Sequence, residues 1–493
     1  MLPISLRPNG RRAVIVGGGA VAARKAESLV AAGFPIFVVA KRIGERLRSV
    51  VEAAGGAYAE REYEPSDLAA AAVVIASTDD DALNARIVAD ARAAYALACD
   101  ASHPERGDFT MAAVRRIGEL TISVDSNGKS PAFSRRVARE LARFGAPYAD
   151  AMGTLARMRS YVKETFPPHE RAPILRALAE RPVAELTAAP AKLVCATRRS
   201  ALAMVQSRSV AAALAQRGIE TNFLQITTTG DRARSGPIEA LGTNNVFVKE
   251  LESALREGRA DYAVHSSKDL PSMLAADMRI AAVSRREDAR DAFCSERYAS
   301  FESLPAGARV GTSSPRRRAQ LAALRPDLRY ETLRGNVDTR LRKLARGQYD
   351  AIVLAMAGLN RLGTGAAYVV PFAIEQLVPA AGQGALAIET RSGDDRFLNA
   401  LRDAVNDPQA EACVGAERAA LAAMRAGCSA PIGVHAHFIA ETLVIEGAFA
   451  AAPGALARAR VEGRCVTLAQ AELLGADLAE RLKARSEPSG AVN

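Results

Sequence analysis

The 493-residue chain contains no tryptophan, and aromatic residues make up only 5% of it. Proteins that hold single-stranded nucleic acid usually stack the bases on aromatic side chains, so this composition argues against a nucleic-acid partner. The sequence also lacks an apolar run long enough to cross a bilayer, and residues 1–12 lack the apolar core of a secretory signal. We therefore expect a cytoplasmic protein that does not bind membranes.

The six cysteines are scattered and form no CxxC pair. Zinc sites and disulfide frameworks usually depend on closely spaced cysteines, so we expect neither a bound metal nor a disulfide network. The formal net charge of +10 suits a solvated basic surface, a nucleic-acid partner or a cleft for a polyanionic small molecule. The arginines gather in short motifs rather than in a basic tail, which favours the cleft.

Apolar strand-like runs alternate with helical patterns in two successive parts of the chain. The first part carries such runs at residues 13–16, 36–39, 73–76 and 120–124, which predicts an α/β domain with a Rossmann-like parallel sheet. A charged helical segment follows, and a second alternation of the same kind begins at Lys192. The predicted fold class is therefore α/β in both parts.

Gly17 and Gly19, together with Ala22, form a G-x-G-x-x-A motif between a predicted strand and a predicted helix. Such glycines allow a tight turn, and the helix N-terminus offers N–H groups to a pyrophosphate, so the motif predicts a dinucleotide site. The alternative is a glycine turn needed only for packing. Lys41-Arg42 replace the acidic residue that usually follows the second strand. They are either a solvated helix start or a sign that a 2′-phosphate is accepted, so the cofactor is NAD or NADP.

Four ordered stretches of the N-terminal part resemble the precorrin-2 dehydrogenase domain of siroheme synthases. They are Val14–Lys25 (VIVGGGAVAARK), Arg61–Pro65 (REYEP), Ala76–Asn84 (ASTDDDALN) and Asn127–Arg136 (NGKSPAFSRR). The resemblance implies that Gly17, Gly19 and Thr78 contact the dinucleotide and that Ser130 lines a tetrapyrrole pocket. It also implies that precorrin-2 is oxidised to sirohydrochlorin and that the helical segment behind this domain forms a homodimer.

The predicted catalytic residue of this part is Asp100, whose position departs from the family pattern. The family usually carries an Asn-x-x-Asp stretch followed by proline and a nearby phenylalanine, whereas alignment on Pro104 and Phe109 leaves Asp100 short of the catalytic position. Either a shifted loop brings Asp100 into place, or His103 takes over the role, or the role is lost. In the last case this part is a degenerate dinucleotide-binding or dimerisation module. A further activity, sirohydrochlorin ferrochelatase, also stays open.

The C-terminal part, residues 192–493, resembles hydroxymethylbilane synthase (porphobilinogen deaminase) along essentially its whole length. The motifs that carry the resemblance are Ala196–Ser200 (ATRRS), Phe247–Glu252 (FVKELE), His265–Pro271 (HSSKDLP), Arg286–Phe293 (REDARDAF), Gly311–Arg317 (GTSSPRR), Leu333–Arg340 (LRGNVDTR), Pro379–Ala385 (PAAGQGA), Ala416–Arg418 (AER) and Gly427–Gly433 (GCSAPIG). The resemblance implies two periplasmic-binding-protein-like α/β domains and a small α+β domain. It also implies condensation of four porphobilinogen molecules into linear hydroxymethylbilane with release of ammonia.

Porphobilinogen carries an acetate and a propionate, so a growing chain of such units is a polyanion. Arginine guanidiniums bind carboxylates through paired hydrogen bonds and keep their charge. The resemblance assigns contacts with substrate and cofactor to a set of basic and hydroxyl side chains: Arg198, Ser200, Lys268, Ser314, Arg316, Arg317, Arg334, Arg340 and Arg361. Surface salt bridges are the alternative, but adjacent like charges such as Arg316-Arg317-Arg318 need a reason to gather.

Asp269 and Cys428 carry chemistry that goes beyond binding. The resemblance implies that Asp269 stabilises the methylene-pyrrolenine cation formed on deamination and moves protons, while an ordinary ion pair with Lys268 is the alternative. It implies that Cys428 forms a thioether to a dipyrromethane cofactor. A simple binding protein for an anionic ligand, which is the competing class, needs neither residue. One departure from the family is the turn at residues 241–246, which lacks an expected lysine.

We therefore predict a fusion protein that acts on porphobilinogen and precorrin-2. Its expected parts are a Rossmann-like NAD(P)-binding domain (1–115), a dimerisation segment and linker (116–190), a first deaminase domain (191–285, completed by about 375–395), a second deaminase domain (286–374) and a third one that carries the cofactor cysteine (396–493).

Overall fold

A computed structural model of the chain describes residues 2–127, 129–187, 192–226, 248–425, 430–452 and 454–486. It contains two compact units, Met1–Met152 and Gly153–Asn493. Cys428 and the turn at residues 241–246 lie outside the described residues. Within the described ranges, no helix combines the length and the apolar character that a membrane span requires.

The N-terminal unit is built around a five-stranded parallel sheet. Its strands are β1 (Arg12–Val16), β2 (Ile36–Ala40), β3 (Ala57–Glu60), β4 (Ala71–Ala76) and β5 (Leu97–Asp100), and its helices are α1 (Ala20–Ala31), α2 (Glu45–Ala53) and α3 (Asp81–Ala93). The strand order is β3-β2-β1-β4-β5. The central strands β1 and β4 are apolar on both sides, because both faces of the sheet are packed into hydrophobic cores.

Residues 120–124 form a strand, but not one of the parallel sheet. β6 (Ala113–Ile117) and β7 (Leu120–Val124) make a separate antiparallel hairpin, so the prediction that residues 120–124 belong to the parallel sheet is wrong. Only Gly118 and Glu119 separate the two strands, and Gly118 has a φ of +53°. The chain therefore turns back at once, whereas a parallel strand would need a long crossover connection.

Three helices connect this sheet region to the next one. They are α4 (Pro131–Thr165), α5 (Pro168–Ala179) and α6 (Val183–Leu186). α4 begins in the N-terminal unit and ends in the C-terminal unit. The pair Pro167-Pro168 separates α4 from α5, because proline interrupts a helix interior but is well accommodated in a first helical turn.

The C-terminal unit contains two mixed five-stranded sheets. The first comprises β8 (Lys192–Arg198), β9 (Glu220–Ile226), β10 (Tyr262–Ser266), β11 (Met278–Val283) and β17 (Leu386–Arg391), in the order β11-β17-β10-β8-β9. The second comprises β12 (Asp291–Ser295), β13 (Arg309–Gly311), β14 (Arg329–Glu331), β15 (Ala351–Ala355) and β16 (Tyr368–Pro371), in the order β14-β13-β15-β12-β16. The chain therefore passes from the first sheet to the second after β11 and returns with β17.

Helices and a third sheet complete the C-terminal unit. The helices are α7 (Ala201–Ala215), α8 (Lys249–Arg256), α9 (Pro315–Leu324), α10 (Val337–Ala345), α11 (Met356–Leu362), α12 (Leu398–Val405), α13 (Pro408–Ala423) and α14 (Leu468–Ser486). The third sheet is antiparallel and consists of β18 (Ile432–Ile439), β19 (Thr442–Ala452) and β20 (Ala455–Arg464). Helices α13 and α14 pack on it, which gives the small α+β arrangement that the sequence predicts.

Candidate functional site

A cleft in the C-terminal unit opens at the carboxyl ends of the parallel strands β8 and β10. β8 ends at Arg198 and β10 at Ser266, so the residues that follow the two strands meet at one edge of the sheet, where open α/β sheets bind ligands. The predicted residues Arg198, Ser200 and Asp269 share this cleft. Among the described residues its lining is Arg198, Ser200, Leu202, Ala203, Gln206, Val248, Val264, His265, Ser266 and Asp269.

Two polar side chains fix the helical wall of the cleft. Ser200 is the N-cap of α7, and its Oγ accepts a hydrogen bond from the Ala203 N–H at 3.3 Å. Gln206 Nε2 donates to Ser266 Oγ at 2.8 Å and so ties α7 to the end of β10. Gln206 is not among the predicted site residues, although it follows the ATRRS motif closely.

Asp269 lies at the rim of the cleft with an exposed carboxylate. It ends the short 3₁₀ turn Ser267–Asp269 that follows β10. The Nζ of its neighbour Lys268 donates to Gln383 Oε1 at 3.1 Å, and burial lowers the pKa of Lys268 to about 8. The Asp269 carboxylate opposes this lowering, so the two opposite charges act on each other at the mouth of the cleft.

Arg316 and Arg317 are buried and share the carboxylate of Asp291. Arg316 Nη1 lies 2.7 Å from Asp291 Oδ2, and Arg317 Nη2 lies 2.6 Å from Oδ1. Burial alone would raise the pKa of Asp291, but the two guanidiniums hold it well below its ordinary value. Gln383 Nε2 donates to the same carboxylate at 3.0 Å. Asp291 and Gln383 are not among the predicted site residues, although the REDARDAF and PAAGQGA motifs contain them.

Unlike that pair, Arg340 and Arg361 form no ion pair with a carboxylate in the part of the chain that the structure describes. Arg340 Nε donates to the Gly335 carbonyl at 2.8 Å, and Arg361 Nη2 donates to the Gly384 carbonyl at 2.7 Å. Burial lowers the pKa of Arg340 to about 10 and also lowers that of Arg361. The Asp269 carboxylate acts in the opposite direction on Arg340, because the two opposite charges attract each other.

Ser314 and Arg334 stand at the starts of two helices of the second sheet. Ser314 is the N-cap of α9, and its Oγ accepts the Arg317 N–H at 3.4 Å. Arg334 is half-buried just before α10, and its carbonyl accepts a hydrogen bond from Lys343 Nζ at 3.1 Å. The predicted substrate-binding residues therefore come from both mixed sheets, and Lys268 and Asp269 interact electrostatically with arginines of the second sheet.

The glycine turn of the N-terminal unit lies between β1 and α1. Gly17 has a φ of +134°, and a Cβ there would overlap the backbone of Ser77, while a Cβ on Gly18 would overlap the Arg42 carbonyl. A Cβ on Gly19 would meet no atom within 4 Å, so the space in front of the helix is open. Since no side chain caps α1, its first N–H groups can receive a pyrophosphate. The turn therefore fits a dinucleotide, and it requires Gly18 as well as the predicted glycines.

The other predicted residues of this unit have structural partners. Ala22 is fully buried in the core that α1 shares with the sheet. Thr78 Oγ1 donates to Asn84 Oδ1 at 2.8 Å, which orders the loop between β4 and α3. The Ser130 carbonyl accepts an N–H from the first turn of α4.

Asp100 ends β5 with a buried side chain. Its Oδ1 accepts the N–H groups of Ser102 and His103, both at 2.9 Å, and Oδ2 lies 3.9 Å from Arg106 Nη1. The carboxylate thus holds the loop that follows β5. The His103 imidazole is more exposed, and its Nε2 lies 3.1 Å from Asp81 Oδ1.

Comparisons with known proteins agree with this division of the chain. Residues 193–399 match the family model "Porphobilinogen deaminase, dipyromethane cofactor binding domain", and residues 411–484 match "Porphobilinogen deaminase, C-terminal domain". Residues 4–113 match the model "Putative NAD(P)-binding". The porphobilinogen deaminase of Roseiflexus castenholzii is 47% identical over 292 residues, which are 59% of this chain and 95% of the relative.

A second relative and two solved structures extend the comparison. The porphobilinogen deaminase of Sorangium cellulosum is 44% identical over 299 residues, which are 60% of this chain and 99% of the relative. The structure of SirC, precorrin-2 dehydrogenase, is 21% identical and covers 36% of this chain and 90% of its own, with a TM-score of 0.31. The Bordetella pertussis BvgS periplasmic VFT2 domain is 16% identical and covers 47% of this chain and 91% of its own, with a TM-score of 0.28.

Two mixed sheets, a cleft at the strand ends and cations around an exposed carboxylate define an α/β enzyme for anionic small molecules. By its sequence matches, this chain belongs to the porphobilinogen deaminase family. The C-terminal unit is accordingly a transferase of tetrapyrrole biosynthesis, a hydroxymethylbilane synthase with a domain for the dipyrromethane cofactor. The chain joins it to an NAD(P)-binding domain, which confirms the predicted fusion and the predicted α/β fold class.

Proposed function

We propose that Asp269 is the catalytic carboxylate of the deaminase. The observation that carries this proposal is the exposed Asp269 carboxylate at the cleft, where it interacts electrostatically with Lys268 and Arg340. Loss of ammonia from porphobilinogen leaves a cationic methylene-pyrrole, which a neighbouring carboxylate stabilises. The same carboxylate can move protons at the pyrrole nitrogen and the leaving amine.

The carboxylates of porphobilinogen and of the growing chain are proposed to bind basic and hydroxyl side chains that come from both mixed sheets. These groups are Arg198, Ser200, Lys268, Ser314, Arg334, Arg340 and Arg361. Arg340 and Arg361 support this role most directly, because half-buried guanidiniums that hydrogen-bond only to carbonyls can still bind a carboxylate. Arg316 and Arg317 are proposed to act as positioning residues, since both are committed to Asp291.

The dipyrromethane group supplies the attachment point for the growing chain when it is bound. Its covalent attachment is proposed at Cys428 on the strength of the GCSAPIG motif; Cys428 itself lies outside the described residues. Arg340 and Arg361 fit the carboxylates of such a group, since each is half-buried and forms no salt bridge with a carboxylate among the described residues.

Intact-mass measurement of the purified chain tests the attachment. We expect an adduct of two pyrrole units on the wild type and its absence from Cys428→Ser. Asp269→Asn should keep the adduct and bind porphobilinogen, while its kcat falls by roughly 10²-fold. Asp277→Asn, which changes a surface aspartate paired with Arg256, is the matched control. A loss of only a few-fold in Asp269→Asn would leave Asp269 with no more than an ion-pair role beside Lys268.

For the N-terminal unit we propose NAD(P)-dependent oxidation of precorrin-2 to sirohydrochlorin. The open space at Gly19 in front of α1 supports dinucleotide binding at Gly17, Gly19 and Thr78. The nicotinamide, when bound, accepts a hydride from precorrin-2, and a proton is released at the same time. The burial of Asp100 and its hydrogen bonds to the following loop favour His103 as the group that takes this proton.

A degenerate dinucleotide-binding module is the second candidate, and the same buried Asp100 favours it. The two candidates are separated by supplying precorrin-2 with NAD or NADP and following the absorbance of sirohydrochlorin. Oxidation by wild type and Asp100→Asn, but not by His103→Gln, would support the proposed role of His103. No oxidation by wild type that still binds the dinucleotide would establish the degenerate module.

A homodimer through the N-terminal half is proposed from the apolar surface of α4. Phe133, Leu141, Phe144 and Tyr148 are exposed there, by 59%, 43%, 72% and 47%. A soluble protein rarely leaves such a row of large apolar side chains in water. Sedimentation analysis should give a dimer for the wild type and a monomer for Phe144→Asp, and a monomeric wild type would overturn the proposal.

A further inference from the structure

The region predicted to be a dimerisation segment and linker, residues 116–190, is divided by the structure. From residue 153 onward it belongs to the compact C-terminal unit. We call residues 153–186 the brace. A plain linker has no reason to bury large apolar side chains, yet six of them in the brace are almost fully buried: Met158, Val162, Phe166, Ile174, Leu178 and Leu186.

The brace covers the outer edge of the first mixed sheet. β9 is the edge strand of that sheet, so part of its backbone N–H and carbonyl groups face away from β8. The hydroxyl of Tyr161 accepts the Thr221 N–H at 2.9 Å and donates to the Thr221 carbonyl at 3.1 Å. One side chain of the brace therefore satisfies both outward-facing backbone groups of this residue.

Further polar contacts continue from Tyr161 into the sheet and beside it. Thr221 Oγ1 lies 3.2 Å from the hydroxyl of Tyr262 in β10, inside the core. Next to it, Arg157 Nε lies 3.2 Å from Glu220 Oε1, whose side chain is mostly buried. Burial raises the pKa of Tyr161, so its hydroxyl keeps its proton and its donor function at neutral pH. The contact is thus a defined hydrogen-bonding interface with charge complementarity.

Apolar contacts fix the brace at the turn between α7 and β9. A Cβ on Gly218 would lie 3.8 Å from Thr154 Cγ2 and 3.9 Å from Leu178 Cδ1, so both brace helices reach this turn. α5 also packs against α7. The first turns of α7 carry Ser200 and Gln206, which line the candidate active site. The brace therefore contacts the two elements that support one wall of the cleft.

We propose that the brace docks on the deaminase domains and stabilises β9 and α7. Residues of the fused N-terminal part of the chain thereby support the deaminase. The deaminase part of this chain matches nearly the whole length of the related deaminases. Those relatives therefore have few residues left that could form a counterpart of the brace. The deaminase of this fusion thus depends on residues that precede its family domain. This dependence does not require any activity of the N-terminal unit.

Hydrogen exchange on the full-length protein tests the docking. Tyr161→Phe keeps the ring and removes only the hydroxyl, so amide exchange in the peptide that spans β9 should accelerate by roughly tenfold. Tyr95→Phe is the matched control, because it removes a hydroxyl from a highly exposed tyrosine of the N-terminal unit, outside the brace. Exchange in β9 that is equal in both variants and the wild type would overturn the proposal.

A second variant probes the apolar part of the interface. Leu178→Ala should shorten the half-life of deaminase activity at elevated temperature by roughly tenfold or more, because it opens a cavity at a fully buried position. Binding of the dinucleotide by the N-terminal unit should be unchanged. If the deaminase half-lives of Leu178→Ala and Tyr161→Phe both equal that of Tyr95→Phe, the brace contributes nothing to the deaminase and the proposal fails.

Discussion

Arg317 and Asp291 form a buried ion pair in which Nη2 lies 2.6 Å from Oδ1, and Asp291 is the first residue of β12. Arg317 Nη1 also donates to the Val353 carbonyl of β15 at 2.8 Å, so the pair holds α9 against the middle of the second sheet. Lys268 of the first sheet interacts with the same charges. The site therefore contains two kinds of cation. Asp291 neutralises Arg316 and Arg317, whereas the charges of Arg340 and Arg361 remain available to a ligand.

Asp291→Asn should destabilise the protein strongly. The substitution removes the one carboxylate that Arg316 and Arg317 share, and it leaves two buried guanidiniums beside each other. Breaking a buried pair of this kind costs about 3–5 kcal/mol, whereas a surface pair is worth about 0–1 kcal/mol. Urea denaturation followed by circular dichroism should show this loss for Asp291→Asn and not for the surface control Asp277→Asn. Equal midpoints for both variants would contradict the structural role of the pair.

Arg340→Ala should leave the fold intact and stall chain elongation. Arg340 hydrogen-bonds to a carbonyl and forms no salt bridge with a carboxylate among the described residues, so its loss removes a binding group and leaves no buried charge behind. Enzyme-bound intermediates with fewer pyrrole units should accumulate, and mass spectrometry of the holoenzyme measures their distribution. Arg342→Ala, on the same helix, is the control. The same distribution in both variants would make Arg340 a surface residue without a role in binding.

The binding of porphobilinogen should weaken above about pH 8. Burial lowers the pKa of Lys268 to about 8, so this cation loses its proton at a lower pH than an ordinary lysine does. Below pH 8 the ammonium is present and attracts the substrate carboxylates. As the pH rises through 8 the charge disappears, and kcat/KM for porphobilinogen should fall. Lys268→Arg should move this falling limb to higher pH, because an arginine keeps its charge there. A limb that stays in place in Lys268→Arg would assign it to another group.

Sequence motifs located most of the candidate site but not its internal pairing. Arg316 and Arg317 stand out as adjacent like charges, yet their common partner Asp291 lies in a different motif, and only the folded second sheet brings the three together. The requirement for glycine at position 18 was not predicted for a similar reason. A side chain there would overlap the Arg42 carbonyl, which belongs to a later loop. Local patterns report which residues are unusual, while contacts between distant segments depend on the tertiary fold.

The fold class followed from strand and helix periodicity, but the sheet membership of residues 120–124 did not. An apolar run has the same pattern in a parallel sheet and in a hairpin, so the two-residue turn at Gly118 decides between them. The packing of the brace against the deaminase could not be predicted for the same reason. The buried residues of the brace follow a helical period that a dimerisation helix would also show, and the contacts with Thr221 and Gly218 show that the first mixed sheet and its helix α7 cover them.

Gly19→Ala and Gly18→Ala should separate dinucleotide binding from folding. A Cβ on Gly19 meets no protein atom within 4 Å, so Gly19→Ala should melt close to the wild-type temperature. The new methyl group lies in front of the α1 N-terminus and should lower the affinity for NAD(P) by roughly tenfold or more. Gly18→Ala should instead destabilise the N-terminal unit, because its Cβ overlaps the Arg42 carbonyl. Wild-type affinity in Gly19→Ala would exclude this turn as the pyrophosphate site.

Arg42 should make the N-terminal unit prefer NADP to NAD. It stands directly behind β2, where NAD-binding domains carry an acidic residue for the ribose hydroxyls. The Gly44 N–H donates to the Gly18 carbonyl at 3.0 Å, so the loop that carries Arg42 is fixed against the glycine turn. Lys41 is engaged by Glu62 at 2.9 Å, whereas the exposed Arg42 can reach a 2′-phosphate.

The measurement is calorimetric titration of both dinucleotides into the full-length protein. A charge-assisted contact to the 2′-phosphate should favour NADP by roughly tenfold, and Arg42→Asp should reverse the order, because a carboxylate repels the phosphate and accepts hydrogen bonds from ribose hydroxyls. Arg46→Ala, which changes a basic residue of α2 paired with Glu27, serves as the control and should keep the wild-type ratio. The same ratio in wild type and Arg42→Asp would reduce Lys41-Arg42 to a solvated helix start. Loss of the preference for NADP in Arg42→Asp, but not in Arg46→Ala, would place the adenosine ribose beside β2.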